Sequence, residues 1–264
     1  MIRYTNNFSL FKNYLSNLKI NYKNKIIYTC CLGEQEIIPS IIEKYDDISY
    51  ICFVNENEKR IFSSNFQIIR VNLIYINFRY TARIIKLMSH LIFSKSNYCL
   101  WFDSRIVIKK RMTTYLLDML KSKNKDIIFF HHRKRNRIIS EVLSNLFFLK
   151  DNPYNIIKTY FTYCSNLYFN QIPLIETGII IRNNKKTNVK NFNTFWANQI
   201  INMSIRDQLS VGYSIYKTNP NYIVLKNFIS DFSKIIDRDD YSFDQQGNLK
   251  KNKITKFVKY IIKK

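Results

Sequence analysis

A chain of 264 residues with 46% hydrophobic and 16% aromatic side chains can bury one sizeable core, and its 4 Gly and 4 Pro leave little room for flexible linkers. A largely disordered or fibrous protein is therefore excluded. The formal net charge of +23, from 42 Lys+Arg against 19 Asp+Glu, implies an anionic partner: nucleic acid, an anionic membrane surface or a phosphorylated small substrate.

The elements follow in chain order. Phe8, Phe11, Tyr14, Leu15 and Leu18 recur at helical spacing and predict a short amphipathic helix over 8–18. The amino terminus lacks the apolar core of about 7–15 residues that marks a signal peptide. Strands are expected at Lys25–Cys31, Ile48–Val54 and Gln67–Val71, with a short helix over 37–45. Ile84, Leu87, Met88, Leu91 and Ile92 mark a helix over 80–93 that packs on a sheet. Tyr98–Phe102 reads as a fully buried strand ending at Asp103. Then come a helix over 112–121, a strand over 126–130 and a helix over 138–149. A short strand follows over 177–181, then an Asn/Lys-rich loop over 183–193. Helix in two parts covers 194–217, and Tyr222–Leu225 is the last strand. Alternating strands and helices predict an α/β domain with a mainly parallel sheet, whose ligands bind beyond the carboxyl ends of the strands.

From residue 250 onward the tail holds seven lysines and no acid, and Ile254, Phe257, Val258, Ile261 and Ile262 form one apolar stripe. That pattern predicts a basic amphipathic C-terminal helix, either docked on an anionic membrane surface or packed on its own domain. No stretch reaches the ~18 apolar residues of a membrane span. The expected division is an N-terminal helical segment over 1–24, a main domain over 25–230 and a basic tail over 231–264. Cys30, Cys31, Cys52, Cys99 and Cys164 contain no C-x-x-C pair and are expected as buried, reduced thiols rather than a zinc or redox site.

The chemistry concentrates at a few places. Asp103, placed directly after a buried strand, can hold a divalent cation, Mn or Mg, against a diphosphate. The second acid of such a pair is replaced by Arg105, so either Asp103 and other groups hold the metal or Arg105 supplies the positive charge itself. The plain alternative is an acid that caps a turn. Arg79, Arg83 and Lys86 stand four and three apart and share one helical face, suited to clamp a diphosphate or simply to face solvent. Asp207, with Gln208 beside it near a helix start, either complements the helix dipole or binds and deprotonates a hydroxyl. Glu176 precedes Gly178, which permits close approach of a ligand. His131 and His132 follow a strand; adjacent strand residues point to opposite faces, so they cannot both serve one metal. His90 lies among apolar positions and reads as structural. No P-loop, G-x-G-x-x-G or G-x-S-x-G occurs, which argues against common NTPases, dinucleotide enzymes and serine hydrolases.

An ordered set of segments carries a family resemblance: IYTCCLGEQE (27–36), YICFVNE (50–56), NFRYTARIIKLMSHLIF (77–93), YCLWFDSRIVI (98–108), FHHRKR (130–135), ETGIIIRNN (176–184) and RDQLSVGY (206–213). Together they resemble the glycosyltransferase-like family, formerly a domain of unknown function, that includes the plant turgor-regulation-defect and mucilage-related proteins and bacterial polysaccharide-locus members. The resemblance implies a GT-A-like nucleotide-sugar-binding fold. It implies donor binding by Arg83, Lys86 and Asp103, and a place at the acceptor side or reaction centre for Glu176 and Asp207. Two departures stand out: Ser104 replaces a small residue such as Gly, and His131-His132 replaces His-Pro.

The resulting expectation is a glycosyltransferase that moves a sugar from a nucleoside-diphosphate donor, a UDP-sugar favoured, to a glycan or lipid-linked glycan acceptor. Bacterial surface polysaccharide (lipopolysaccharide or capsule) synthesis, with the enzyme cytoplasmic and peripheral to the inner membrane, is the expected setting. A basic nucleic-acid-binding protein is the alternative, against which stand the spread of lysines along the chain and the absence of a zinc-finger or RRM signature. A transferase-like scaffold without catalysis is the third reading.

Overall fold

The computed structural model describes the backbone of residues 2–34, 36–39, 41, 44–62, 65–72, 78–108, 112–168, 171–226, 233–235, 241–243 and 249–251. Its centre is a seven-stranded sheet built from β1 (Lys25–Cys31), β2 (Ile48–Asn55), β3 (Gln67–Val71), β4 (Tyr98–Phe102), β6 (Ile127–His131), β7 (Ile175–Asn183) and β8 (Tyr222–Leu225), in the order β3-β2-β1-β4-β7-β6-β8. β7 alone runs antiparallel, against both β4 and β6; the remaining pairs are parallel. This mainly parallel α/β layout is consistent with the expected GT-A-like fold. β-branched and aromatic residues fill both faces of the central strands, because helices cover both sides and leave no wet face to alternate against.

One side carries α1 (Ile2–Ser16), α2 (Phe78–Leu87), α3 (Ser89–Ile92), α7 (Thr187–Asn202) and α8 (Asp207–Thr218), packed on Tyr28, Trp101, Phe129 and Ile180. α5 (Ile138–Phe147) and α6 (Pro153–Ser165) extend that layer through Ile138, Val142, Ile156 and Tyr163. The opposite side carries α4 (Met112–Ser122), whose Leu116, Leu117 and Leu120 pack on Leu100, Phe102 and Ile128. A short strand, β5 (Ile106–Ile108), pairs antiparallel with β9 (Ser233–Ile235), and β10 (Tyr241–Phe243) pairs with β11 (Leu249–Lys251).

Phe8, Phe11 and Leu15 of α1 belong to the core, and β5 pairs with β9 beyond residue 230. Several expected elements change. No helix occurs among the described residues of 37–45, and α7 begins at Thr187, inside the stretch read as a loop. α6 has no counterpart among the expected elements. The apolar stripe 254–262 of the expected C-terminal helix lies outside the described residues, and Lys250 and Lys251 belong to β11. Cys30, Cys31, Cys52 and Cys99 are free and buried, and burial pushes the thiols of Cys31 and Cys99 up to about 12, which makes both poor nucleophiles.

Candidate active site

The site forms where α2, β4, β7 and α8 converge. Helix α2 stops at Leu87 because its last carbonyls are taken from outside. The Lys86 carbonyl accepts from Tyr28 Oη at 2.7 Å and from Arg182 at 2.5 Å, and Arg182 also reaches the Leu87 carbonyl at 3.4 Å. Arg182 is itself fully buried on β7 and held by Tyr28 Oη at 2.6 Å and by Asn193 at 2.9 Å. A cation at a helix C-terminus satisfies carbonyls that have no partner within the helix. Here it also fixes the last turn of α2, and with it Lys86.

Lys86 is fully buried, its ammonium 2.7 Å from Asp207 Oδ2 and 3.6 Å from Asp103 Oδ1. The same ammonium lies 5.6 Å over the Trp101 ring. Asp207 opens α8, where the helix dipole favours a carboxylate. Its Oδ2 also accepts from Thr177 Oγ1 at 3.0 Å and lies 3.6 Å from Arg83, whose side chain is 25% exposed. Burial opposes the charge on Asp207, but Arg83, Lys86 and Arg206 outweigh it and hold the carboxyl far below the usual range. Burial likewise works against the charge on Arg83, and Asp207 and Asp103 more than offset it, raising its pKa. Arg206 is stressed in the other direction. Burial lowers its pKa, Asp207 opposes this, and Arg83 and Arg79 add like-charge repulsion, while its buried Nε has no hydrogen-bond partner. Three cations thus stand around Asp207, with Asp103 beside Lys86 as the second carboxylate.

Asp103 follows β4 and remains 24% exposed. Its Oδ1 accepts from Trp101 Nε1 at 2.9 Å, and its backbone N–H donates to the Gly178 carbonyl at 2.9 Å, which prolongs the β4–β7 pairing. On the other edge of β7 the pairing slips. Ile128 faces Ile181, yet Phe130 faces Glu176 where regular pairing would bring Ile179. Such irregularities re-aim side chains beside active sites. Glu176 is buried, and its Oε2 has no hydrogen-bond partner. Burial raises its pKa; Arg133 and Arg105 partly oppose that, and Asp103 reinforces it. Asp103 therefore borders both groups: the cations around Asp207 and the carboxyl of Glu176.

Of the residues singled out in the sequence, Arg83, Lys86, Asp103 and Asp207 meet directly, and Glu176 and Arg105 join them electrostatically. Arg79 instead turns its guanidinium to the Lys150 carbonyl at 2.8 Å. Gln208 is half-buried, its backbone N–H donating to Asp207 Oδ1 at 3.1 Å. His131 is half-buried at the end of β6. His132 serves the loop: its Nδ1 accepts from the backbone N–H groups of Lys134 and Arg135 at 3.2 and 3.1 Å. Burial and the neighbouring Arg135 and Arg133 lower its pKa to about 4. His90 is buried between Asn193 and Thr194, away from the site. Trp101, Thr177 and Arg206 belong to the site but were not singled out. Trp101 precedes Asp103 by two residues, so strand parity could have placed it on the same face.

These residues do not make a metal cage by themselves. Among the described residues no group of three or more His, Cys, Asp or Glu side chains could hold a metal ion. The Lys86 ammonium already occupies the neighbourhood of Asp103. A doubly charged ion on Oδ1 of that carboxylate, about 2 Å beyond it, would lie no more than about 6 Å from the ammonium, a repulsion of roughly 5 kcal/mol or more at an effective dielectric of about 20.

A sequence-family model described as TOD1/MUCI70, glycosyltransferase-like domain, matches residues 45–236, well over half of the chain. The chain belongs to this family. No individually curated protein matches it. The TOD1/MUCI70 match includes Arg83, Lys86, Asp103, Glu176 and Asp207, and it ends just past β9, so the β5–β9 pair falls within it. β1 precedes the first matched residue although it sits between β2 and β4 in the sheet.

Proposed function

We propose that the protein is a glycosyltransferase that takes its sugar from a nucleoside diphosphate, a UDP-sugar favoured, and that positive side chains rather than a metal cage receive the departing diphosphate. The observation that carries this reading is the surplus of three cations, Arg83, Lys86 and Arg206, over the two carboxylates nearest them, Asp207 and Asp103. A diphosphate supplies the missing negative charge, and guanidinium forks match its oxygens. Asp207 pins the cations in place before substrate arrives, so little reorganisation is needed as charge develops on the leaving oxygen. Arg105 and Asp103 border the same region and orient donor and sugar; Arg79, tied to the Lys150 carbonyl, sits at its outer edge.

Glu176 is assigned the acceptor. Two carboxylates with opposite shifts divide the labour, since the strongly ionised Asp207 is too weak a base while the raised Glu176 is suited to accept a proton. The bond from the anomeric carbon to phosphate breaks, the bond to the acceptor oxygen forms, and the hydroxyl proton passes to Glu176. The acceptor proposed is a glycan, lipid-linked and of bacterial surface polysaccharide synthesis, met at the cytoplasmic face of the membrane.

The test is nucleotide release from a panel of UDP-, GDP- and CMP-sugars, each with Mn²⁺ and with EDTA. Release is expected from a diphosphate donor, to persist in EDTA, and to fall in Asp103→Ala and Glu176→Gln. Equal release by wild type and Asp103→Ala sinks the donor assignment. Complete loss in EDTA with recovery on Mn²⁺ sinks the cation assignment.

A further inference from the structure

The α5–α6 hairpin presents large apolar side chains that no part of the described fold covers. Leu143, Phe147, Phe148, Leu149, Tyr154 and Phe161 are each between 60% and 81% exposed. Leu143 and Phe147 are four apart on α5, and Tyr154 and Phe161 are seven apart on α6 with the 43% exposed Ile157 between them. Each helix therefore carries an outward stripe opposite its buried one. Soluble proteins seldom leave so many large apolar groups together in water without a partner for them.

Charge identifies the partner. Arg133, Lys134 and Arg137 stand exposed just before α5, and Lys150 and Lys158 lie within the hairpin, with the Lys150 ammonium 5.4 Å over the Phe148 ring. The only acids from 131 to 168 are Glu141 and Asp151, and both are engaged internally. Glu141 is fully buried 2.6 Å from Arg135, and Asp151 accepts from Ser204 Oγ at 2.6 Å and Ile205 N at 2.9 Å. An aromatic face with basic flanks and no free carboxylate matches the boundary between headgroups and acyl chains of an anionic bilayer. No helix among the described residues is long and apolar enough to cross a membrane, so the contact would be interfacial.

We infer that the α5–α6 hairpin is a docking surface for an anionic lipid membrane, with the Phe147–Leu149 corner and Tyr154 and Phe161 inserted at the interface. The inference rests on the transferase reading only for its purpose, which is to bring a lipid-linked acceptor to the site. The hairpin's connecting loop is already bound to that site: Arg79 holds the Lys150 carbonyl, and Asp151 holds Ser204 and Ile205, directly before Arg206 and Asp207.

The experiment uses the full chain with vesicles of phosphatidylcholine alone and of phosphatidylcholine mixed with phosphatidylglycerol. Partition onto the anionic vesicles is expected to fall at least about tenfold in the Phe147→Ser/Phe161→Ser double variant, since two aromatic side chains lose their burial in lipid. A Phe147→Trp reporter is expected to shift its emission to the blue on anionic vesicles, against the constant background of the buried Trp101 and Trp196. Unchanged partition of the double variant, or an unshifted reporter on bound protein, overturns the inference, because attachment would then be through charge elsewhere. A dimer in analytical ultracentrifugation that the double variant dissolves also overturns it, in favour of an interface between copies. Nucleotide release in vesicle-free solution is expected to be equal in wild type and double variant. A Phe147→Trp protein that inserts its reporter while neither it nor wild type releases nucleotide from any donor supports the docking surface and counts against the transferase reading alone.

Discussion

Replacing Lys86 by Met tests whether the cationic cluster is organised around Asp207. The side chain keeps its length and apolar stem but loses the ammonium 2.7 Å from Asp207 and 3.6 Å from Asp103. Asp207 stays buried, with Thr177 Oγ1 at 3.0 Å and Arg83 at 3.6 Å. Removing one partner of a buried pair costs about 3–5 kcal/mol when the other is left alone, and the surviving Arg83 and Thr177 place this case at about 3 kcal/mol. For a domain of this size that corresponds to a drop of roughly 6–12 °C in Tm. Urea denaturation of Lys86→Met, Asp207→Asn and the double variant closes the cycle, with an expected coupling of about 2 kcal/mol because the double variant buries neither charge of the pair. The pH dependence has a definite sign. The folded carboxyl of Asp207 is held below its ordinary value of 3.8, so its contribution is complete above that value and is lost as pH falls through and below it. Lys86→Met makes that acid-sensitive contribution smaller. A Lys86→Met protein within about 0.5 kcal/mol of wild type, or strictly additive single variants, would refute the reasoning.

Three further outcomes follow from the same coordinates. Glu176→Gln is expected to lower nucleotide release by about 10²–10⁴-fold and to raise stability near neutrality. The folded carboxyl of Glu176 is raised above 4.5, so stability is lost as pH rises from that value towards the higher folded one, and wild-type activity should climb as the folded carboxyl ionises above 4.5. Gly212→Ala should destabilise by about 1–3 kcal/mol in urea denaturation, because a Cβ there would collide with Tyr168 Oη and force that ring off its contacts with Tyr163 and Tyr213. Stability should fall as pH drops from 6.5 towards 4, since His132 is held neutral in the fold to about pH 4 whereas the unfolded imidazole protonates near 6.5. Its share is on the order of 2 kcal/mol, and His132→Gln, which keeps an acceptor, should flatten that limb.

The parallel strands were legible because their burial on both faces leaves unbroken apolar runs. KIIYTCC and YCLWF admit little else, and β1 and β4 occupy the expected residues. The helix expected over 80–93 was legible from its 3.6-residue period, although it breaks at Met88 into α2 and α3. What failed depended on partners far along the chain or on composition read too literally. β5 exists through its pairing with β9, more than a hundred residues away, and three residues of IVI carry no such instruction. The Asn/Lys-rich stretch read as a loop, 183–193, contains Val189 and Phe192 in helical phase with Trp196 just beyond it, and the buried side of α7 uses all three together with Asn193. α6 did announce itself: Asn152 accepts from Tyr154 N at 2.9 Å and Pro153 takes the first turn, a cap-then-proline start.

The candidate site was legible residue by residue but not as a circuit. Asp103 and the Arg83–Lys86 face could be set beside a sheet edge from local pattern alone, because a strand terminus and the helix before it are neighbours in the chain. The role of Asp207 could not, since nothing in RDQLSVGY states that its carboxyl turns inward to meet an ammonium 121 residues away. Nor does sequence separate Glu176 from Asp207, two carboxylates that a motif treats alike. Their difference arises from register: the slip between β6 and β7 places Glu176 where Oε2 finds no donor, while its neighbour Thr177 donates to Asp207. One short segment, Glu176-Thr177, thus supplies a group with a raised proton affinity and a hydroxyl that donates to Asp207. The assignment of base and anchor therefore depends on how β7 is paired, and a change that restored regular pairing to β6 would disturb Glu176 before it touched the cations.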